Sequence, residues 1–142
     1  MIGKPDFSIL ITDDDQGFRQ SLRGVFAERG FRTLEASSGE EAIEIVQDAE
    51  VHLALLDMYM PRLSGLETLR IVKQIKAFLP CIILSADADE RLMHEALSAR
   101  AFTVLAKPIS HHVVIHTVFR ALRQSYPEPD DLGPRGRWHE RA

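Results

Sequence analysis

The stretch that decides the fold is Val51-His52-Leu53-Ala54-Leu55-Leu56-Asp57, a mostly apolar run that stops abruptly on a carboxylate. The residues that follow, 58–65, favour a loop, because Pro61 lacks a backbone N–H and Gly65 is conformationally free. A short apolar run bounded by turn signals is typical of a strand buried on both faces of a parallel sheet. The pattern therefore places Asp57 at the carboxyl edge of such a sheet, where open α/β folds bind their ligands.

Further segments along the chain also favour strands, and each is followed by a helical pattern of apolar residues. These segments are 7–12, 31–36, 81–84 and 101–106. Strands that alternate with helices indicate an α/β fold of parallel βαβ units, with right-handed crossovers and helices on both faces of the sheet. Segment 31–36 alternates apolar and polar residues and so suits an edge strand. The sequence therefore predicts a flavodoxin-like, doubly wound sheet of five strands in the order 2-1-3-4-5.

Helix boundaries are predicted from capping residues. Ser38 with Glu41, and Ser64 with Glu67, have the spacing of a capping box, in which each residue satisfies a backbone N–H of the other. Gly30 is predicted to end the first helix in a left-handed conformation.

Composition excludes several classes of protein. The chain has 142 residues, 45% of them hydrophobic, which suffices for one domain with a core but not for two. A net charge of -4 gives no electrostatic footprint for nucleic acid, and no apolar stretch approaches a membrane span. The single cysteine, Cys81, excludes an internal disulfide and fits a reducing compartment. We therefore expect a soluble, cytoplasmic protein that binds neither nucleic acid nor a membrane.

The composition changes after residue 125, where prolines, glycines and mixed charges replace the periodic pattern. This predicts a domain over 1–125 and a disordered or loosely docked tail over 126–142. Trp138 could anchor the tail to a partner, but the composition favours an inert segment.

Polar residues end or directly follow the predicted strands, and in a parallel sheet these strand ends share one edge. The residues concerned are Asp13, Asp14, Asp57, Ser85 and Lys107. Neighbouring carboxylates repel, which raises a pKa or demands a cation, and hard oxygen ligands suit Mg²⁺. A metal, a cationic clamp, a hydrogen-bond donor and a nucleophile are the parts that phosphoryl transfer needs. Because no histidine base stands in a matching position, the pattern points to a carboxylate nucleophile that forms an aspartyl phosphate.

Some of these residues also have a plain structural explanation. Taken singly, Asp13 and Asp14 could cap a helix and Lys107 could be a solvated charge, but their joint occurrence at strand ends favours a site. His112 and His116 have the i,i+4 spacing of a metal pair. No third ligand is evident for them, so a polar helix face is the favoured interpretation.

These residues resemble the receiver domain of bacterial two-component response regulators. The resemblance covers about residues 7–124 and rests on four stretches, which are 9–15, 55–61 with Gly65, 83–86 and 105–108. One such motif is weak, but four in this order and spacing, on the predicted fold, are highly specific. With no output domain in the sequence, we expect a stand-alone receiver with the architecture of a chemotaxis regulator.

The resemblance implies a role for the acidic residues. Asp57 matches the aspartate that accepts the phosphoryl group. Asp13 and Asp14 match the acidic pair that binds Mg²⁺ together with Asp57, and the backbone carbonyl of Tyr59 matches a further metal ligand. Tyr59 also stands where the family controls how fast the phosphoryl group is lost.

The resemblance extends to the remaining strand ends. Ser85 matches the switch hydroxyl, Lys107 the lysine that contacts the phosphoryl group, and Pro108 a proline that often follows a cis bond. The resemblance implies that the protein is a signalling switch and not a metabolic enzyme. Such a switch catalyses only its own phosphorylation and dephosphorylation. The implied partners are a sensor histidine kinase or histidine phosphotransfer protein, a downstream protein, and a second copy in a phosphorylation-dependent homodimer.

One position departs from the family pattern. Receivers usually carry an aromatic residue three positions before the lysine, and here that residue is Val104, whose β-branched side chain has little rotamer freedom. Phe102 lies two residues earlier, and alternation along a strand predicts that it shares the face of Val104 and partly substitutes for the aromatic switch.

Two other functional classes fit the sequence less well, and a third stays as the alternative. A haloacid-dehalogenase-type phosphatase would use an Asp-x-Asp pattern, as in Asp13 and Asp15, but the only late acidic pair, Asp130-Asp131, falls in the predicted tail. A Rossmann dinucleotide site fails because aspartates, not glycines, follow the first strand. A pseudo-receiver, which binds proteins independently of phosphorylation, stays the alternative, and Val104 favours it mildly.

Overall fold

Strands and helices alternate along the whole domain in the computed structural model, which describes residues 6–127. The strands are β1 (Ser8–Thr12), β2 (Arg32–Ala36), β3 (Leu53–Asp57), β4 (Cys81–Ser85) and β5 (Thr103–Ala106). The helices are α1 (Gln16–Glu28), α2 (Gly39–Asp48), α3 (Gly65–Ile75), α4 (Glu90–Ser98) and α5 (His111–Ser125). Each predicted strand and helix is confirmed, although β3 and β5 begin two residues later than their apolar runs, at Leu53 and Thr103.

The five strands form one parallel sheet in the order β2-β1-β3-β4-β5, which confirms the predicted flavodoxin-like topology. Every residue of β3 is buried, because helices cover both of its faces. In the edge strand β2 only Ala36 is fully buried, in keeping with the alternating pattern of that segment. Residues at the ends of the central strands therefore meet at a single edge of the sheet.

The sheet separates two hydrophobic clusters. Ile9 and Ile11 of β1 face the cluster beneath α1 and α5, whereas Leu10 faces the cluster beneath α2, α3 and α4. This alternation is the two-residue period of a strand, and both clusters are apolar because the sheet is covered on both sides.

The helix caps follow the sequence closely, with one difference. Ser64 and Glu67 form the predicted capping box, with hydrogen bonds of 3.1 and 2.8 Å, at the start of α3. Ser38 accepts a hydrogen bond from the Glu41 amide, but the Glu41 carboxylate bonds the amide of Ser37 at 2.6 Å. The second predicted box therefore does not close, because Ser37 offers that carboxylate both its amide and its hydroxyl.

Tyr126, assigned from the sequence to the tail, directly follows α5 and packs against the domain. Its ring centroid lies 5.4 Å from that of Phe7, and its hydroxyl donates a hydrogen bond of 2.9 Å to the carbonyl of His52. The other features predicted in the tail, Trp138 and the pair Asp130-Asp131, lie outside the described residues. None of the helices within residues 6–127 has the length and apolar character that crossing a bilayer requires.

Candidate functional site

Three carboxylates meet at the carboxyl edge of the sheet. Asp13 directly follows β1 and Asp57 ends the neighbouring strand β3, and they are 1% and 5% exposed. Asp14 is exposed at the rim. One carboxylate oxygen of each residue lies within 4.8 Å of those of the other two. Such a set of hard oxygen ligands is chemically suited to a divalent cation such as Mg²⁺.

Lys107 brings a positive charge into this acidic group. It follows β5, and its Nζ lies 2.8 Å from Oδ2 of Asp13 and 3.1 Å from Oδ1 of Asp57. The same ammonium group stands 4.3 Å from the ring centroid of Phe18, which favours its charged form through a cation–π contact. The peptide bond between Lys107 and Pro108 is cis, as the resemblance implies.

The charges of this edge act on one another. Burial, followed by the charge of Asp13, raises the pKa of Asp57, while the hydrogen bond and charge of Lys107 act in the opposite direction. Burial alone would lower the pKa of Lys107, but its hydrogen bonds to Asp13 and Asp57 and their charges together raise it. One lysine therefore neutralises only part of the negative charge, and a bound cation would relieve the rest.

Ser85 ends β4, between the strands that carry Asp57 and Lys107. It is fully buried, and its Oγ accepts a hydrogen bond of 3.1 Å from the amide of Asp87. The Ser85 carbonyl in turn accepts one of 2.8 Å from the amide of Lys107. Since the Oγ is an acceptor in the first of these bonds, its own hydrogen is not used in it.

Two residues near the site, Tyr59 and Arg19, make contacts that were not predicted from the sequence. The hydroxyl of Tyr59, a residue that is 55% exposed, donates a hydrogen bond of 3.2 Å to Asp87 and so joins the loops that follow β3 and β4. This hydrogen bond is the main reason why the pKa of Tyr59 is raised. Arg19 donates to the carbonyl of Asp13 at 2.6 Å and pairs with Glu35 at 3.1 Å. No recognised motif links Arg19 to either residue, so no signal in the sequence marks it.

Residues 9–119 match the family model for the response regulator receiver domain. The chain belongs to this family.

Two curated relatives show how far the similarity extends. Response regulator RR06 of Streptococcus pneumoniae is 33% identical over 119 residues, which make up 84% of this chain and 54% of that protein. Sporulation initiation phosphotransferase F of Bacillus subtilis is 37% identical over 100 residues, or 70% of this chain and 81% of that protein. The chain therefore spans about half the length of the first relative.

Solved structures agree with the fold. The receiver domain of the Francisella response regulator 1452 has a TM-score of 0.80 and 28% identity, and the match covers 84% of this chain and 99% of that domain. A chain of the CheX–CheY–BeF3–Mg complex from Borrelia burgdorferi has a TM-score of 0.78 and 27% identity, covering 82% of this receiver and 89% of that chain. Receiver domains in general are signalling switches, not metabolic enzymes, and typically bind Mg²⁺ at an aspartate cluster.

The receiver differs from the sequence-based expectation at Phe102. Val104 is buried in the cluster beneath α2, α3 and α4. Phe102 packs against the opposite cluster, and the guanidinium carbon of Arg120 lies 5.3 Å from its ring centroid. The expectation that Phe102 shares the face of Val104 is therefore wrong, because β5 begins only at Thr103 and strand alternation does not extend back to residue 102. The switching role suggested for Phe102 loses its geometric basis.

Proposed function

We propose that this receiver is the phosphoacceptor of a two-component phosphorelay, in which Asp57 takes a phosphoryl group from a sensor histidine kinase or a histidine phosphotransfer protein. The observation that carries the proposal is the position of Asp57, which lies buried beside two further carboxylates and 3.1 Å from the ammonium group of Lys107. Membership of the receiver family supports the same role for this aspartate.

In the proposed reaction, a carboxylate oxygen of Asp57 attacks the phosphorus of a phosphohistidine. The new O–P bond forms as the P–N bond breaks, and the electron pair of the broken bond leaves with the imidazole of the donor, which then takes up a proton. Lys107, already in contact with Asp57 and Asp13, would neutralise charge on the incoming phosphoryl oxygens. Ser85 would donate the hydrogen of its Oγ to a phosphoryl oxygen, because that hydrogen is not used in its bond with Asp87.

The donor set fits Mg²⁺. The ligands that we propose are the carboxylates of Asp13, Asp14 and Asp57 and the backbone carbonyl of Tyr59, all of them hard oxygen atoms. When bound, Mg²⁺ would offset the charge that Asp57 and the phosphoryl group develop together. The pKa of Asp57 is raised first by burial and then by the charge of Asp13, and a cation bound beside these carboxylates would offset the second of these causes.

Phosphorylation would be read out by a partner protein. We place the responsive surface on α4, β5 and α5, because Ser85 and Lys107 lie at the start of the segments that lead into these elements. A downstream protein or a second copy of the chain would bind there, and the complex of the Borrelia relative with CheX is a precedent for a protein partner. Tyr59, beside the site, would influence the rate of phosphoryl loss. We further propose that the receiver domain comprises residues 1–125 and that the protein is cytoplasmic.

The alternative is a pseudo-receiver that binds proteins without being phosphorylated. Its one supporting observation is the buried Val104, which stands where receivers usually carry an aromatic switch residue.

Intact-mass spectrometry distinguishes these two functions. The wild-type chain, incubated with Mg²⁺ and acetyl phosphate, should gain one phosphoryl group, and Asp57→Asn should gain none. Excess EDTA should abolish the adduct on the wild type if the acidic cluster acts through a metal. If neither acetyl phosphate nor a phosphorylated histidine kinase modifies the folded wild type, the result would favour the pseudo-receiver.

A further inference from the structure

A pocket of about 490 Å³ opens at the amino edge of the sheet, on the opposite side of the domain from Asp57. It lies between the segments that precede β4 and β5 and the last turns of α5. The residues that matter here are Lys73, Phe78, Arg100, Phe102, Arg120 and Gln124, and we call this the amino-edge pocket.

The amino-edge pocket is cationic. Three basic residues, Lys73, Arg100 and Arg120, line it, and within residues 6–127 no acidic residue does. None of these three side chains forms an ion pair with another part of the chain between residues 6 and 127. Like charges gathered without a counter-charge repel one another, so an anion that bound among them would be stabilised.

Lys73 is the buried member of this basic group. It is buried, and its Nζ donates hydrogen bonds to the carbonyls of Leu79 at 2.6 Å and Ala77 at 3.4 Å. Burial, with a contribution from the charge of Arg100, lowers the pKa of Lys73. A bound anion would offset the contribution of Arg100, because it would place an opposite charge beside both residues.

The pocket also presents flat apolar surfaces. The side chain of Phe78 is 91% exposed at the mouth of the pocket. Phe102 forms part of the wall, and the guanidinium of Arg120 lies over its ring. Because a guanidinium that stacks on a ring keeps its N–H groups in its own plane, Arg120 can still donate a bidentate hydrogen bond to a phosphate.

Arg100 has an unusual backbone conformation. Its φ of 72° lies in the left-handed region, where the backbone of any residue that carries a Cβ is strained. Arg100 is therefore placed at the pocket by a turn that a glycine would form more easily. Arg100 directly follows Ala99, the C-cap residue of α4, so the end of this helix fixes the position of the Arg100 side chain at the pocket.

We propose that the amino-edge pocket binds a nucleotide-like anion, with Arg100 and Arg120 holding the phosphate groups and Phe78 stacking against the base. A concave site of this volume suits a small molecule, and the combination of two arginines with an aromatic ring matches a ligand that carries both phosphate and a planar ring. This site is independent of the function proposed for Asp57.

Isothermal titration calorimetry in EDTA tests the proposal on the full chain, because removal of divalent metal keeps the aspartate cluster from holding phosphate. The probes are ADP, adenosine and ribose 5-phosphate. The wild type should bind ADP more tightly than either fragment. Arg120→Gln and Arg100→Gly should each weaken ADP binding about tenfold or more, the effect of losing a charge-assisted hydrogen bond. Arg70→Gln, which removes an equally exposed charge from α3 outside the pocket, should bind like the wild type.

Arg100→Gly separates binding from folding, since glycine accepts the φ of 72° without strain and the variant should melt no lower than the wild type. Amide shifts of Ala101 and Gln124 on addition of ADP would locate the ligand in the pocket. The proposal is overturned if ADP fails to bind at millimolar concentration, or if all three arginine variants bind it equally. It is also overturned if ribose 5-phosphate binds as tightly as ADP, because the base then makes no contact.

Discussion

The two edges of the sheet use positive charge in opposite ways. At the carboxyl edge, the ammonium group of Lys107 lies within 3.1 Å of two buried carboxylates, and ion pairs within the protein largely neutralise its charge. At the amino edge, Arg100 and Arg120 are exposed beside a pocket that, in the described part of the chain, no acidic residue lines. The first arrangement is strained by excess negative charge and the second by excess positive charge.

This difference indicates what each edge can accept. An excess of buried carboxylate favours a cation and an electrophile, as phosphoryl transfer to Asp57 requires. An excess of exposed guanidinium favours an anion that brings its own negative charge. Removing a cation should therefore cost more stability at the carboxyl edge than at the amino edge.

The largest effect is expected at Gly65, which packs against the backbone of the phosphoacceptor strand. An added Cβ at this position would lie 2.9 Å from both the carbonyl carbon of Asp57 and the Cα of Met58. Because backbone atoms cannot move aside as a side chain can, Gly65→Ala should lower the free energy of unfolding by about 3 kcal/mol. Urea denaturation measures the loss, and phosphorylation by acetyl phosphate should slow as the carbonyl of Asp57 is displaced.

Gly24→Ala is the matched control for that variant. Gly24 lies in α1 with no atom near the position of an added Cβ, so alanine should raise the free energy of unfolding by about 0.5–1 kcal/mol through helix propensity. Equal effects of the two substitutions would contradict the close approach inferred at Gly65.

The carboxyl edge could be predicted from the sequence because each of its polar residues ends or directly follows an apolar run that is recognisable as a strand. A buried strand is recognised from its own apolar run, and the polar residue that stops the run, as Asp57 stops β3, is thereby placed at the edge. Topology then does the rest, since parallel strands bring Asp13, Ser85 and Lys107 to the same side without any knowledge of side-chain contacts.

The amino edge could not be predicted in this way. Its residues come from loops and from the end of a helix, and neither Arg100 nor Arg120 differs in the sequence from an ordinary surface charge. The position of Phe102 was mispredicted for a related reason, because the start of β5 depends on pairing with β4 and not on the apolar run alone. The bond between Tyr59 and Asp87 likewise depends on two loops that meet only in the folded chain.

The charge comparison itself can be broken by removing one cation from each edge. Lys107→Met keeps the aliphatic stem but leaves two buried carboxylates without their cation, so the free energy of unfolding should fall by about 2 kcal/mol at pH 7. Arg120→Met removes an unpaired charge and should cost less than about 1 kcal/mol, the value of its contact with Phe102. Similar costs for the two variants, measured by urea denaturation, would contradict the distinction between a paired and an unpaired cation.

The pH dependence of the Lys107→Met effect follows from the sign of the pKa shifts. The pKa of Lys107 is raised in the folded state above its ordinary 10.5, so the stability that it contributes is fully present below that pH and is lost only as pH rises further. As the pH falls, Asp57 takes up a proton at a higher pH than an ordinary aspartate does, because its pKa is raised, and Lys107 then loses one of its charged partners. The cost of Lys107→Met should therefore be constant from pH 7 to about pH 10 and shrink at about pH 4. A cost that is greater at acid pH would contradict the pairing.

The smallest effect is expected at Thr12, which ends β1 directly before Asp13. Its side chain is 1% exposed, and its hydroxyl has no hydrogen-bond partner within the described part of the chain. Thr12→Val keeps the β-branched shape and replaces this unsatisfied polar group by a methyl group, so the free energy of unfolding should rise by about 0.5–1 kcal/mol. A gain in stability would show that the wild-type carboxyl edge contains an uncompensated polar group in addition to its excess charge. A fall in stability, measured by urea denaturation, would instead show that the hydroxyl is hydrogen-bonded in solution and belongs to the polar network around Asp13.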